Sequence, residues 1–343
     1  MSLQKKRRAG SRLRFEGLES RVMLDGNVTS HIDHGRLELK GDALNNSIAI
    51  TQAAGTLTVK GLAGTKIDGL ALEKFAGITD LSVELKDGND SLTIGTFTKA
   101  TFNQVSLSGR VSIEMGDGNN VLQIGGLTTG GDLRVETGSG ATDDVLVNHA
   151  RVGGELNVEI DAKTLGALAL AATAVNKDAS VEMGRGNDGI GLLGLSVGGK
   201  LDIETNDGND LLLATTNKTL FRTDANAFSV ANGVGSISAA DVTAFFNAAG
   251  NPTFSVEAGS AEVHTGDGND VAVIDHAKVI GKFEISLGDG NDSLTVAADF
   301  AGSAVLDGGG GTNTLNATPK IPANGTYKVG SATLKVEDFD IFT

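Results

Sequence analysis

Apolar and polar positions alternate along most of this chain in short runs, as in Leu156-Asn157-Val158-Glu159-Ile160, and the runs return at a fixed distance. Alternation with a period of two is the signature of a strand with one face turned inward. The central apolar residue of each run serves as a ruler: Val83, Ile113, Val135, Val158, Val181, Ile203, Val263, Ile285 and Val305. The steps are 30, 22, 23, 23, 22, 60, 22 and 20 residues. A repeat of about 22 residues holds two or three short strands at ~3.3 Å per residue and is too short for a strand–helix–strand crossover.

The expectation is an all-β chain, a parallel β-helix (β-solenoid) of about 22 residues per coil. It is right-handed by the usual rule for parallel crossovers, with Ile113, Val135, Val158, Val181 and Ile203 in one interior column. A β-sandwich built of hairpins is the competing fold. It gives no reason for every turn to carry the same acidic phrase.

That phrase follows the ruler strands. It stands as Lys86-Asp87-Gly88-Asn89-Asp90, Gly116-Asp117-Gly118-Asn119-Asn120, Gly184-Arg185-Gly186-Asn187-Asp188, Asn206-Asp207-Gly208-Asn209-Asp210, Gly266-Asp267-Gly268-Asn269-Asp270 and Gly288-Asp289-Gly290-Asn291-Asp292. A second corner precedes several ruler strands, at Val152-Gly153-Gly154, Val197-Gly198-Gly199 and Val279-Ile280-Gly281. There glycine is expected to supply a positive backbone dihedral. The 60-residue step implies an insertion over about 215–252, within which Ser238 to Asn247 reads as a short serine-capped helix leaning on the flank through Phe245 and Phe246. The organisation read from these signals is a basic leader over 1–30, the repeat over 31–318 and cap strands over 319–343.

Gly-Asp-Gly-Asn-Asp-x-Leu resembles the core of the hemolysin-type (RTX) calcium-binding repeat. Gly88, Gly208 and Gly290 fit its inner glycine, and Asp90, Asp210 and Asp292 fit its aspartate. RTX corners recur about every nine residues whereas these recur about every 22, so the phrase is shared and the roll is not. The resemblance implies calcium, and the residue types suit it: a hard cation takes six to eight oxygens, which Asp carboxylates and the carbonyls of a tight turn supply. The candidate ligands are Asp267, Asp270, Asp289, Asp292, Asp207, Asp210, Asp87 and Asp90. In a stack, two such carboxylates ~4.8 Å apart repel by ~3.5 kcal/mol at an effective dielectric of 20. The other reading is that Asp and Asn are simply good turn formers, with Asn89, Asn187, Asn209, Asn269 and Asn291 in a side-chain ladder. Arg185 is expected to act as a built-in cation, so that its corner adds little.

Composition narrows the function. The chain carries 28 Lys/Arg against 43 Asp/Glu, a net charge of −15, which argues against nucleic acid as a partner. No cysteine is present, so thiolate metal sites and disulfides are excluded. No apolar run has the length of a transmembrane segment. The single Tyr and the absence of Trp leave few platforms for stacking sugars. No phosphate loop or nucleophile elbow occurs. The five histidines read as surface residues, and the acidic groups are periodic rather than clustered, so the chain is read as a non-enzyme.

The first 21 residues hold seven Lys/Arg and two Glu. Within them Leu18-Glu19-Ser20-Arg21 and Val22-Met23-Leu24 resemble the LEPR-XLL segment of exported planctomycete proteins, with Ser20 in place of proline. That resemblance implies an extracellular or cell-surface location. Together these signals point to a calcium-binding surface protein with a structural or adhesive role, its partners calcium and polysaccharide or other cell-envelope components. A carbohydrate-active β-helix enzyme is the competing reading.

Overall fold

The computed structural model describes residues 26–96, 104–216, 251–329 and 332–343. Among them the chain is all-β, with no helix. The leader as far as residue 25 and the expected helix with Phe245 and Phe246 lie outside the described residues.

Successive repeats pair strand on strand, in parallel and in register, along three faces. The first face runs through Leu37–Leu39, Leu81–Val83, Val111–Ile113, Leu133–Val135, Leu156–Val158, Ala179–Val181 and Leu201–Ile203. It continues through Ala261–Val263, Phe283–Ile285, Ala304–Leu306 and Leu334–Val336. The ruler residues Ile113, Val135, Val158, Val181 and Ile203 are direct register partners, and all are buried. Alternation is the cause: Leu156, Val158 and Ile160 point in while Asn157 and Glu159 point out. One ruler residue is corrected. Leu306 pairs with Ile285 and is fully buried, whereas Val305 faces outward and is half-buried.

The second face follows each acidic corner and contains Ser91–Gly95, Val121–Gly125, Ala167–Ala171, Gly189–Leu193, Leu211–Ala214 and Val271–Asp275. Its inward side chains (Leu92, Ile124, Leu168, Leu170, Ile190) join the main core. Its outward ones form a second buried apolar cluster around Val121, Leu146, Ala167, Ala169, Leu193 and Leu213. A shorter third face links Val105–Leu107, Leu127–Thr129, Arg151–Val152, Ala174–Val175 and Leu195–Val197.

The ends depart from the parallel rule. Asn27–Asp33 pairs antiparallel with Arg36–Lys40, and Thr56–Gly61 pairs antiparallel with two neighbours. At the other end Gly325–Val329 folds antiparallel onto Ala332–Glu337.

The glycines of the second corner do a different job from the one expected. Gly153, Gly154, Gly198, Gly199 and Gly281 do not have positive φ. They are needed because the previous repeat passes too close. A Cβ on Gly153 would lie 2.4 Å from the Gly130 carbonyl, and one on Gly199 would lie 2.0 Å from Asp178 Oδ1.

Candidate functional site: the acidic corner

At four of the six corners the central glycine adopts backbone that other residues avoid, with φ +136° at Gly88, +124° at Gly118, +158° at Gly208 and +151° at Gly268; Gly186 and Gly290 do not. The same glycines are packed against the preceding repeat. A Cβ on Gly268 would sit 1.4 Å from the Gly208 carbonyl oxygen, so only glycine fits. Backbone bonds tie the corners together, from Gly208 N to the Asp267 carbonyl and from Gly268 N to the Asp289 carbonyl, both 2.8 Å.

Within each phrase the two aspartates part company. Asp87, Asp207, Asp267 and Asp289 are exposed, whereas Asp90, Asp210, Asp270 and Asp292 are buried at 1–3 % exposure. The eight expected ligands therefore form an outer row and an inner row, not one cage. No group of three or more His, Cys, Asp or Glu side chains stands close enough to hold a metal among the described residues. In the outer row Arg185 Nε lies 3.9 Å from Asp207 Oδ2, with both side chains largely in solvent.

The inner row extends beyond the expected residues. In stacking order it reads Asn46, Asp90, Asn120, Asp143, Gly166, Asp188, Asp210, Asp270, Asp292, Asn313, Asp340. Each backbone N–H donates to the side-chain oxygen of the next repeat: Asn46 to Asp90 (2.6 Å), Asp90 to Asn120 (3.0 Å) and Asn120 to Asp143 (2.8 Å). The rail resumes from Gly166 to Asp188 (2.6 Å), then to Asp210 (2.7 Å), Asp270 (2.8 Å), Asp292 (2.8 Å), Asn313 (2.9 Å) and Asp340 (2.9 Å). It breaks only at Gly166, which has no side chain to accept.

A second rail runs outside with opposite polarity. Asn209 N donates to Asn187 Oδ1, Asn269 N to Asn209 Oδ1 and Asn291 N to Asn269 Oδ1, at 2.8–3.0 Å. This is the asparagine ladder that the phrase suggested, and it accounts for the Asn position.

Each inner aspartate spends one oxygen on the rail. The other, Oδ2 of Asp90, Asp143, Asp188, Asp210, Asp270 and Asp292, is buried without any hydrogen-bond partner. Burial accordingly pushes these carboxyls up, Asp90 to about 8, Asp210 to about 7, Asp188 and Asp292 to about 6, against the lowering effect of the donated amides. The inner asparagines have no such orphan nitrogen. Asn120 Nδ2 donates to the carbonyls of Gly116 (2.8 Å) and Gly118 (3.2 Å) in its own turn. Asn46 Nδ2 does the same to Leu44 (2.7 Å) and Asp42 (3.2 Å).

A further acidic row escaped the sequence reading. Glu84, Glu114, Glu136, Glu159, Glu182 and Glu204 are consecutive register partners on the outside of the first face. Lys40 pairs with Glu84, and Arg134 with Glu136 and Glu159; Glu114, Glu182 and Glu204 have no ion pair among the described residues. The signal was present: each of these glutamates directly follows a ruler residue. One open depression of about 230 Å³ is lined by Gln104, Gly126, His149, Arg151 and Ala172, with no acidic side chain among the described lining.

No helix among the described residues is long and apolar enough to cross a membrane. Comparison with protein-family models, curated proteins and solved structures finds no match for the chain, so the reading of the corner rests on its own geometry.

Proposed function

We propose that the chain is a parallel β-helix of an exported or cell-surface protein, with a structural or adhesive role, whose inner aspartates bind calcium. Three in-register faces of successive repeats support the β-helix, and the acidic outside of the first face suits a molecule that works in salt and among envelope polymers.

The single observation that carries calcium is the row of orphaned Oδ2 atoms. A buried carboxylate oxygen without a donor is costly, by ~1–3 kcal/mol or more for a charged group. A hard cation removes that cost, and it would be held by Oδ2 of Asp90, Asp210, Asp270 and Asp292 together with carbonyl oxygens of the turns. Calcium there supplies charge neutralisation and a cross-link between neighbouring turns. The outer aspartates Asp87, Asp207, Asp267 and Asp289 add long-range attraction rather than ligands.

The test is a calcium titration of the chelator-treated chain, read as a melting curve. A ligand that binds only the folded state at 100 times its Kd stabilises by ~2.7 kcal/mol per site. A curve that calcium leaves unmoved removes the calcium reading. Incubation with a panel of acidic and neutral polysaccharides separates the competing class: chain cleavage would establish an enzyme, and binding without cleavage an adhesive role.

A further inference from the structure

The inner row mixes two residues, Asp and Asn, at one structural position. At that position the side chain has two ends. One end accepts the amide of the previous repeat, and this is true of Asp90, Asp210 and Asp270 as it is of Asn120 and Asn313. The other end faces the carbonyls of its own turn. In Asn120 that end is an amide nitrogen donating to Gly116 and Gly118, four and two residues earlier. In Asn46 it reaches Asp42 and Leu44, again four and two residues earlier. In Asn313 it reaches the carbonyls of Gly309 (3.4 Å), Gly310 (3.3 Å) and Asp338 (3.3 Å).

An aspartate in the same register, with Oδ1 on the same rail, presents Oδ2 where asparagine presents its nitrogen. That oxygen therefore faces acceptor oxygens and accepts no hydrogen bond at Asp188, Asp210, Asp270 or Asp292; the Thr205 and Thr265 hydroxyls beside Asp210 and Asp270 donate instead to the carbonyls of Thr265 (2.9 Å) and Leu287 (2.8 Å). Carboxylate oxygen and carbonyl oxygen repel unless a proton or a cation lies between them, and above the raised range of these carboxyls only a cation remains. The amide N–H of asparagine is such a positive element, carried covalently.

We infer that asparagine at this column takes the place of a bound calcium: the corners of Asn120 and Asn313 are ion-free by construction, the unbroken run Asp188–Asp210–Asp270–Asp292 is the main calcium-binding stretch, and Asp90 is a single site apart from it. This rests on the calcium reading above and extends it to Asp188, a residue that the sequence discounts because Arg185 shares its corner. Arg185 belongs to the outer row, where it faces Asp207 in solvent, and does not reach the buried carboxyl. The Asn corners bracket the Asp run on its C-terminal side through Asn313, next to the antiparallel closing hairpin. A coil that must hold its shape before any ion arrives carries its own donor.

The experiment uses the full chain with calcium as the only added ligand, and reads two quantities: melting temperature in chelator and calcium stoichiometry by titration calorimetry. Asp188→Asn and Asp270→Asn should each bind one calcium fewer and melt a few degrees higher than the parent in chelator, because the amide fills the turn. Asn120→Asp should bind one more and melt lower in chelator, with calcium restoring it; if it does not fold in chelator, calcium-dependent refolding is the same result. Asp207→Asn, in the outer row, should change neither quantity.

Unchanged stoichiometry in Asp188→Asn, or a fall in its chelator melting temperature, overturns the inference while leaving calcium binding elsewhere intact. A parent that binds no calcium, with Asp→Asn variants still melting higher in chelator, overturns the calcium assignment alone and leaves the amide equivalence standing.

Discussion

At the scale of single residues, close approach between repeats is the strictest constraint. Gly268 is held between a positive φ and a carbonyl oxygen 1.4 Å from where its Cβ would be. Gly55, also at positive φ, has nothing within 4 Å of that point. Gly268→Ala should cost more than ~3 kcal/mol and Gly55→Ala only ~1 kcal/mol, the price of the dihedral alone. Urea unfolding of the two variants decides it, and equal losses would mean that the corner relaxes freely. Asp144 is a second residue-scale anomaly. It lies between Val121 and Ala167 in the outward apolar cluster, with neither oxygen hydrogen-bonded. Burial first, then neighbouring Asp143, push it up to about 8. A raised folded value means that its contribution is fully present below the unfolded value near 4 and is lost as pH rises towards 8, by roughly 1.4 kcal/mol per unit at most. Asp144→Val should therefore melt increasingly above the parent between pH 5 and pH 8, with the gap levelling off above that. A gap that stays constant with pH would show that the carboxyl finds a partner in solution.

At the scale of the element, the strand pattern was legible and the chemistry of its edges was not. Period-two alternation placed Ile113 through Ile203 in the core because a strand leaves no other choice. The same rule slipped by one residue at Val305, where Ala304, Val305 and Leu306 are all apolar and alternation gives no vote. The phrase showed two aspartates three residues apart without showing that the turn sends one inward and one outward, since that is set by how the corner stacks on its neighbours, and it holds at Gly290 without a positive φ as it does at Gly268 with one. The Gly-Gly corner looked like a dihedral requirement because close approach by a neighbouring repeat is not a property of local sequence. The glutamate row follows from stacking alone, and it can be tested as such. Glu182 stands between Glu159 and Glu204 at the ~4.8 Å spacing of paired strands. Partial burial first, then the charges of Glu136 and Glu182, already hold the Glu159 carboxyl above its ordinary range. Glu182→Lys should raise stability by up to ~1 kcal/mol at low ionic strength and lose most of that gain in 1 M salt, where screening shortens to ~3 Å. A gain that survives high salt would point to packing rather than charge.

At the scale of the whole molecule, the inner rail is directional and broken once. Every link runs from the amide of one repeat to the side chain of the next, and Gly166 ends the first segment because it offers no acceptor. The stack is thereby divided into Asn46 to Asp143, where Asn alternates with Asp, and Gly166 to Asp340, where four aspartates follow in succession. In the proposed β-helix stability would be close to a sum over units and their interfaces, so a ligand would raise protection where it binds and at its immediate neighbours. If calcium occupies the Asp run, amide exchange should slow in residues 186–216 and 251–313 on adding calcium and change little in residues 37–96 and 104–125, around Asn46 and Asn120. Asp90, lying between those two asparagines, should give at most a local gain. Hydrogen-exchange mass spectrometry with and without chelator reads this directly. Uniform slowing along the whole chain would mean that the molecule opens only as one unit, and slowing confined to the first segment would place the ion where the amides already satisfy the turns, against the reasoning that assigns it to the aspartates.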